Sequence, residues 1–243
     1  MSGKASPHQP INSIPYTDDT AKEFVKRFCA HVHWMVSVRH IYQVLFEEEH
    51  PSILPLMNKT APSFFTDLMR ILHEYLLLEC AKITDSATSG KYENFTVDFL
   101  VEKICWPDNE AILNGMVSLP DNDKDIRREL KLLQTVTAGF REHIKIARHK
   151  ILAHLDKESV LSGKPFGEFP ENEDQKFFDA LQKLCNITHE ACFGTIYGDM
   201  VPTRSGDVFN LIRALRNAVA FDQALSESTD ENKTWLYSCL SKI

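Results

Sequence analysis

Apolar residues recur along this chain at intervals of three and four, the spacing that places them on one face of an α-helix. The first such stretch follows Thr17, a residue type suited to capping a helix, and stops near Glu47 to Glu49 and Pro51. The pattern therefore predicts a long first helix. Its apolar face comprises Phe24, Phe28, Val32, Met35, Val38, Tyr42 and Leu45.

A second stretch is apolar on most sides. Ten of the fifteen residues 64–78 are apolar, which predicts a central, largely buried helix that stops near Thr84. The segment before it contains Pro51, Pro55 and Pro62, and these prolines predict a loop.

The middle of the chain is less regular. Residues 85–90 have the composition of a loop, residues 94–106 predict a short helix, and residues 107–123 are irregular or weakly helical. A third long helix is predicted from Asp123 to about residue 158. Its apolar stripe comprises Ile126, Leu130, Leu133, Thr137, Phe140, Ile144, Ala147, Ile151 and Leu155.

The remaining sequence predicts further helices. Residues 162–170 form a linker, and a fourth helix covers about residues 171–197. Ser205 or Asp207 could cap a fifth helix that runs to about Ser226, and a short helix follows from Glu231. We expect an all-α bundle of about five to seven helices.

Convincing β alternation is absent, and no composition shift marks a strong domain boundary. We therefore expect residues 1–16 to be a flexible N-terminal segment and residues 17–243 to form a single all-α domain.

Composition narrows the function classes. The chain has 243 residues and a formal net charge of −7, which disfavours a general nucleic-acid coat protein because such proteins are usually basic. Residues 1–15 lack the apolar segment of a signal peptide, and no apolar run approaches the ~20 residues that span a bilayer. The six cysteines show no C-x-x-C spacing. We expect a cytoplasmic protein without membrane association.

One segment is basic in this acidic chain. Residues 141–157 contain five Lys or Arg against two acidic residues, together with His143, His149 and His154. A solvated helix face would also explain this composition. A binding site for a nucleic-acid phosphate backbone is the alternative that the charge pattern permits.

Two residues of this segment suit metal-free cleavage of RNA. Arg148 offers a planar fork that matches phosphate, and His154 can move a proton near neutral pH. On a straight helix they lie roughly 120° apart around the axis and about 9 Å along it. They would converge if the apolar stripe packed against a second copy of itself, or if the helix bent or ended nearby.

The residues Arg148-His-Lys-Ile-Leu-Ala-His154-Leu-Asp156-Lys resemble the Arg-x(4–6)-His motif of the HEPN (higher eukaryotes and prokaryotes nucleotide-binding) superfamily. The Ala-His-x-Asp ending resembles the AbiU branch, which is linked to bacterial abortive infection. Residues 77–100, with Ile83-Thr-Asp85, Ser89-Gly-Lys91 and Asn94-Phe-Thr-Val, are similar to the segment that follows the second helix in that branch.

The resemblance implies an all-α homodimer with the motifs at its interface, and metal-independent ribonuclease activity in a toxin or phage-defence effector. It implies RNA as the substrate and an antitoxin protein as a further partner. We expect neither a cofactor nor a metal. Some HEPN domains are inactive, so a catalytically silent module that binds a nucleotide or a protein partner is the alternative. A helical scaffold with an accidental motif is a third hypothesis.

Within the enzyme hypothesis, His154 would transfer protons and Arg148 would stabilise the charge of the transition state. Asp156 and Asp85 are candidate supporting groups. The candidate substrate-binding residues are His149, Lys150, Arg141 and His143.

A metal site formed by Cys29, His31, His33 and His40 is not expected. The first three of these side chains are spread around a helix instead of stacking at a spacing of four residues.

Overall fold

A computed structural model of the chain describes residues 18–47, 52–89, 92–104, 123–147, 172–202 and 205–228. Helices dominate these residues, so the predicted all-α class is confirmed. The helices are α1 (Asp18–Phe46), α2 (Ile53–Thr60), α3 (Pro62–Ile83), α4 (Val97–Phe99, continued by a π-helical turn Leu100–Ile104), α5 (Asp123–Ala147), α6 (Glu173–Phe193) and α7 (Ser205–Glu227).

Helix α2 lies where the three prolines predicted a loop, so that prediction is wrong. Pro55 is the third residue of α2, and Pro62 is the first residue of α3. The N–H groups of a helix's first turn have no intrahelical partner, so a proline there costs no hydrogen bond. These prolines therefore mark where helices begin.

The segment between α3 and α4 contains a short antiparallel pairing of β1 (Thr88–Ser89) with β2 (Tyr92–Glu93). The prediction of a loop over residues 85–90 is therefore wrong for Thr88 and Ser89, which form β1. The pairing is too short to show the alternation of a buried strand, which explains why the sequence pattern missed it.

The predicted short helix begins later than expected, at Val97 instead of Asn94. Thr96 is extended, and its side chain accepts a hydrogen bond from the backbone N–H of Phe99 at 3.1 Å. This contact is a helix N-cap, which satisfies a donor that the helix itself cannot pair.

The helices predicted over residues 171–197 and to about Ser226 are confirmed as α6 and α7, but the predicted end of α6 is wrong. Helix α6 ends at Phe193 because Gly194 adopts the left-handed conformation, with φ 71°, that commonly stops a helix. The predicted end at residue 197 was therefore too late. Helix α7 matches its prediction, whereas residues 148–158 and the helix expected from Glu231 lie outside the described residues.

The chain divides into two compact units. Unit 1 comprises Met1–His33 and Leu77–Met200, and unit 2 comprises Trp34–Leu76 and Val201–Ile243. The single domain expected over residues 17–243 stays a prediction.

The core of unit 1 is built where α5 packs on α6. The rings of Phe140 and Phe177 stack with centroids 4.2 Å apart and an interplanar angle of 18°. The described part of the predicted stripe is buried here. Its buried members are Leu130, Leu133, Thr137, Phe140 and Ile144.

This burial corrects the sequence-based model of a two-fold seam. The stripe from Leu130 to Ile144 is covered within its own chain, so these residues are not available to pack against a second copy. Periodicity predicts that a helix face is buried but does not specify the partner.

The core of unit 2 brings α2 against α7. The apolar face of α2, formed by Ile53, Leu56 and Met57, packs with Val208 and Ile212 of α7. Two helical turns are too short to be stable alone in water, so α2 depends on this burial.

We expect Phe177→Ala to lower the free energy of unfolding by about 3–5 kcal/mol, because it removes a fully buried ring and leaves a cavity beside Phe140. Phe193→Ala, at an exposed position of the same helix, is the matched control and should cost less than about 1 kcal/mol. Urea unfolding followed by circular dichroism measures both. Equal losses would contradict the assignment of the unit 1 core.

Candidate functional site

The whole predicted motif, residues 148–157, lies outside the described residues. Its candidate site residues are Arg148, His149, Lys150, His154 and Asp156. Helix α5 is described up to Ala147, the residue directly before Arg148. The roles of the five residues stay predictions.

Arg141 lies on α5 and is held by an acidic residue of unit 1. Its Nη2 donates to Oδ2 of Asp98 at 2.8 Å, and both side chains are mostly buried. Gln134, two turns earlier on α5, donates to Oδ1 of the same carboxylate at 2.9 Å and to Glu102 at 3.1 Å. These bonds attach α5 to α4. A phosphate would have to compete with Asp98 for this guanidinium, and the predicted contact of Arg141 with RNA stays a prediction.

His143 has an exposed position on α5. It follows Arg141 by two residues, or roughly 200° around the helix, so the two side chains point in different directions. His143 is therefore open to a ligand at the surface, and its predicted role in RNA binding stays a prediction.

Asp85 lines a cleft of about 330 Å³ in unit 1. The cleft lies where α3 ends and the chain returns towards α4. Two hydrogen bonds close the return: Asn94 N–H donates to the Ala87 carbonyl at 2.8 Å, and the Asn94 side chain donates to the Ser86 carbonyl at 2.9 Å. The lining residues are His31, Glu79, Lys82, Ile83, Asp85, Asn94, Phe95 and Thr96.

A buried carboxylate organises this cleft. Glu79 is only 7% exposed, and each of its oxygens has a partner. Lys82 Nζ lies 2.8 Å from Oε1, and His31 Nε2 lies 3.2 Å from Oε2. A carboxylate this deep in a protein is tolerated when it is paired and hydrogen-bonded, and both Glu79 oxygens have such partners.

The surroundings of His31 favour its neutral form. Burial lowers the pKa of His31 below its ordinary value, and the nearby charge of Glu79 offsets this only in part. Because Nε2 faces the carboxylate, the proton of the neutral ring is assigned to Nε2, and Nδ1 carries a lone pair. His31 thus combines a donor to Glu79 with an acceptor on the other side of the ring.

An aromatic side chain completes the cleft. Phe95 is 39% exposed, and its ring packs on Phe24 with centroids 4.4 Å apart and on Phe28 at 5.9 Å. These contacts hold the ring on one side while part of it remains accessible. A partly exposed, supported aromatic ring can receive a flat ligand by stacking.

The described residues contain no group of three or more His, Cys, Asp or Glu side chains arranged to hold a metal. Two histidines of the candidate metal set, His31 and His33, have other neighbours. His31 faces Glu79, and Nδ1 of His33 lies 3.5 Å from the Tyr197 hydroxyl oxygen. None of the described helices is long and apolar enough to cross a membrane.

Sequence reasoning named Asp85 but missed the cleft. The Glu79 and Lys82 pair, spaced by three residues at the end of an apolar helix, was the available signal. Their partner His31 belongs to α1, far away in the chain, and only tertiary packing brings it to Glu79.

Comparison with known proteins adds one match. The HEPN AbiU2 family model matches residues 18–208. The match spans the cleft segment and the Arg148 to His154 motif, and it covers well over half of the chain. No curated protein and no solved structure matches the sequence at a significant level. The chain therefore belongs to the AbiU2 family of the HEPN superfamily.

Proposed function

We propose that this protein is a metal-independent endoribonuclease that acts in the cytoplasm as a toxin or phage-defence effector. The observation that carries the proposal is the family match over residues 18–208, which includes a motif with both Arg148 and His154 present. A silent module would not need to keep both side chains.

RNA supplies its own nucleophile in this reaction. The ribose 2′-oxygen attacks the adjacent phosphorus, the bond to the 5′-oxygen breaks, and the products carry a 2′,3′-cyclic phosphate and a 5′-hydroxyl. His154 of one subunit takes the 2′-hydroxyl proton, and a protonated His154 of the second subunit gives a proton to the leaving oxygen. Arg148 stabilises the charge on the phosphorane, which is worth about 3 kcal/mol for a preorganised donor.

The described part of α5 provides a rigid support for this motif. Its apolar face is packed on α6, and Arg141 and Gln134 bond its polar edge to Asp98. Lys183 of α6 also pairs with Glu129 of α5. A helix attached on two sides positions the residues that follow it more precisely than a free helix could.

We further propose a homodimer that uses the outer face of α5, since the inner face is already filled. Leu132 is 57% exposed there, and Gly139 has open space around its Cα. Leu132 and Gly139 fall within about 20° of each other around the helix, and His143 lies one turn further, at the end of this face nearest the motif, where RNA would bind. Pairing along this face would bring the two motif segments together.

RNA would bind beside the paired motifs, with His149, Lys150 and His143 contacting its phosphates and Asp156 supporting His154. An antitoxin protein is the proposed partner that restrains the activity. The competing function is a silent module that binds a nucleotide or a protein partner, and the experiments below separate the two.

Sedimentation velocity at micromolar concentration should report a dimer. Leu132→Glu places a charge on the proposed seam and should yield monomers. Ile71→Glu is the matched control, because Ile71 is 60% exposed on α3 of unit 2, and this variant should remain dimeric. A strictly monomeric parent would contradict the composite site. A dimeric Leu132→Glu protein would show that a different surface is used.

Cleavage of RNA should persist in excess EDTA, because the proposed mechanism uses Arg148 and His154 in place of a metal. The products should carry 2′,3′-cyclic phosphate and 5′-hydroxyl ends, which mass spectrometry identifies. Loss of activity on chelation, with recovery on adding Mg²⁺, or 3′-hydroxyl products would show that the mechanism is wrong.

His154→Ala should lower the cleavage rate by about 10²–10⁴-fold while leaving folding and RNA affinity nearly unchanged, because its role is proton transfer. Arg148→Ala should weaken both cleavage and binding, and Arg148→Lys should restore little, since an ammonium lacks the planar fork. Lys150→Ala should mainly weaken binding and reduce its salt dependence.

Single-turnover rates, equilibrium binding and thermal melting separate these effects. If His154→Ala unfolds the protein, the histidine is structural. If it folds and cleaves RNA as well as the parent, the catalytic assignment is wrong and the silent module is the better function.

A further inference from the structure

We infer that the cleft of unit 1 is a nucleobase subsite, which receives one base of the RNA and favours bases that carry an exocyclic amino group. The inference rests on the proposed function, because it assigns a second contact to the same RNA. The residues that carry it are His31, Glu79, Lys82, Asp85, Asn94 and Phe95.

Phe95 provides the stacking surface. Its ring is fixed by Phe24 and Phe28 yet remains 39% exposed at the cleft. A base that stacks on such a ring displaces water from two flat apolar surfaces, and no ordering of the protein is needed because the ring is already held.

The described residues that line the cleft supply several hydrogen-bond acceptors. His31 presents the Nδ1 lone pair, and Glu79 and Asp85 contribute carboxylate oxygens. The Asn94 amide gives one of its two N–H groups to the Ser86 carbonyl, and its oxygen is a further acceptor at the cleft. Cytosine, adenine and guanine each offer an exocyclic amino group with two N–H donors, whereas uracil offers one N3–H donor flanked by two carbonyl oxygens.

The charge of the lining argues for a base within an RNA chain. Among the described residues that line the cleft, Lys82 is the only cation when His31 is neutral, against the two carboxylates Glu79 and Asp85. One ammonium can meet a single backbone phosphate but cannot neutralise a triphosphate. The volume of about 330 Å³ lies at the lower end of small-molecule sites and suits a single nucleoside.

The test measures fluorescence anisotropy of labelled 2′-O-methyl hexanucleotides with the full chain. These RNAs lack the 2′-hydroxyl nucleophile, so binding is measured without cleavage. We expect the cytidine hexamer to bind about tenfold more tightly than the uridine hexamer, the size of discrimination that a well-placed base contact gives.

Two variants locate the binding site. Phe95→Leu keeps apolar volume but removes the aromatic face, and it should weaken cytidine binding about tenfold. Phe193→Leu is its matched control, since Phe193 is 40% exposed in the same unit, and it should bind as the parent does.

Lys82→Ala should reduce the slope of log binding constant against log salt concentration by about one, the value expected for losing one phosphate contact. Lys176→Ala is its control, because that lysine makes the same kind of pair with Glu173, three residues away.

The outcomes separate this inference from the proposed function. Equal binding of the two hexamers, or unchanged binding by Phe95→Leu and Lys82→Ala, would overturn the subsite even if the parent cleaves RNA. Binding of cytidine triphosphate tighter than of the cytidine hexamer would also overturn it, in favour of a free-nucleotide site. A protein that shows the base preference but never cleaves RNA would retain the subsite and refute the ribonuclease.

Discussion

The packing of α5 on α6 is the constraint on which the rest of unit 1 depends. The stacked rings of Phe140 and Phe177 lie within a buried stripe, so α5 cannot rotate about its axis without exposing apolar surface. This orientation directs Arg141 towards Asp98 and leaves Leu132 at the surface. One apolar contact thus decides which polar side chains of α5 are engaged inside the chain and which can meet a partner.

A buried carboxylate, Glu79, and a half-buried one, Asp98, illustrate how acidic side chains are paired in unit 1. Asp98 follows the N-cap Thr96 and accepts bonds from Gln134 and Arg141, whereas Glu79 is paired with His31 and Lys82. Buried ion pairs add little net stability over apolar packing, but removing one partner strands a charge at high cost. Their effect is to specify geometry: Asp98 holds α5 against α4, and Glu79 fixes the ring of His31.

The two polar centres suggest different relations to function. At Asp98 the carboxylate accepts a hydrogen bond from Nη2 of Arg141, which suits a structural attachment for the helix that leads to Arg148. At Glu79 the paired groups line an open cleft, and an exposed face of Phe95 lies beside them. Groups that are already ordered by their neighbours bind a ligand without an additional entropic cost, which is why the cleft is the stronger candidate for recognition.

The sequence by itself determined the all-α class, the long described helices and the family, but its prediction that α3 is largely buried is wrong, since Phe64 is 61% and Ile71 60% exposed. Each depends on local information: the period of apolar residues, the capping residues and the spacing of Arg148 and His154. Helix α2 was missed because a proline is read as a loop signal unless its position within the first helical turn is known. Only the tertiary structure decided that α6 covers the stripe of α5, that Asp98 holds Arg141, and that His31 meets Glu79. The physical reason is that a periodic pattern encodes which face of a helix avoids water, whereas the identity of the covering surface depends on how distant segments pack together.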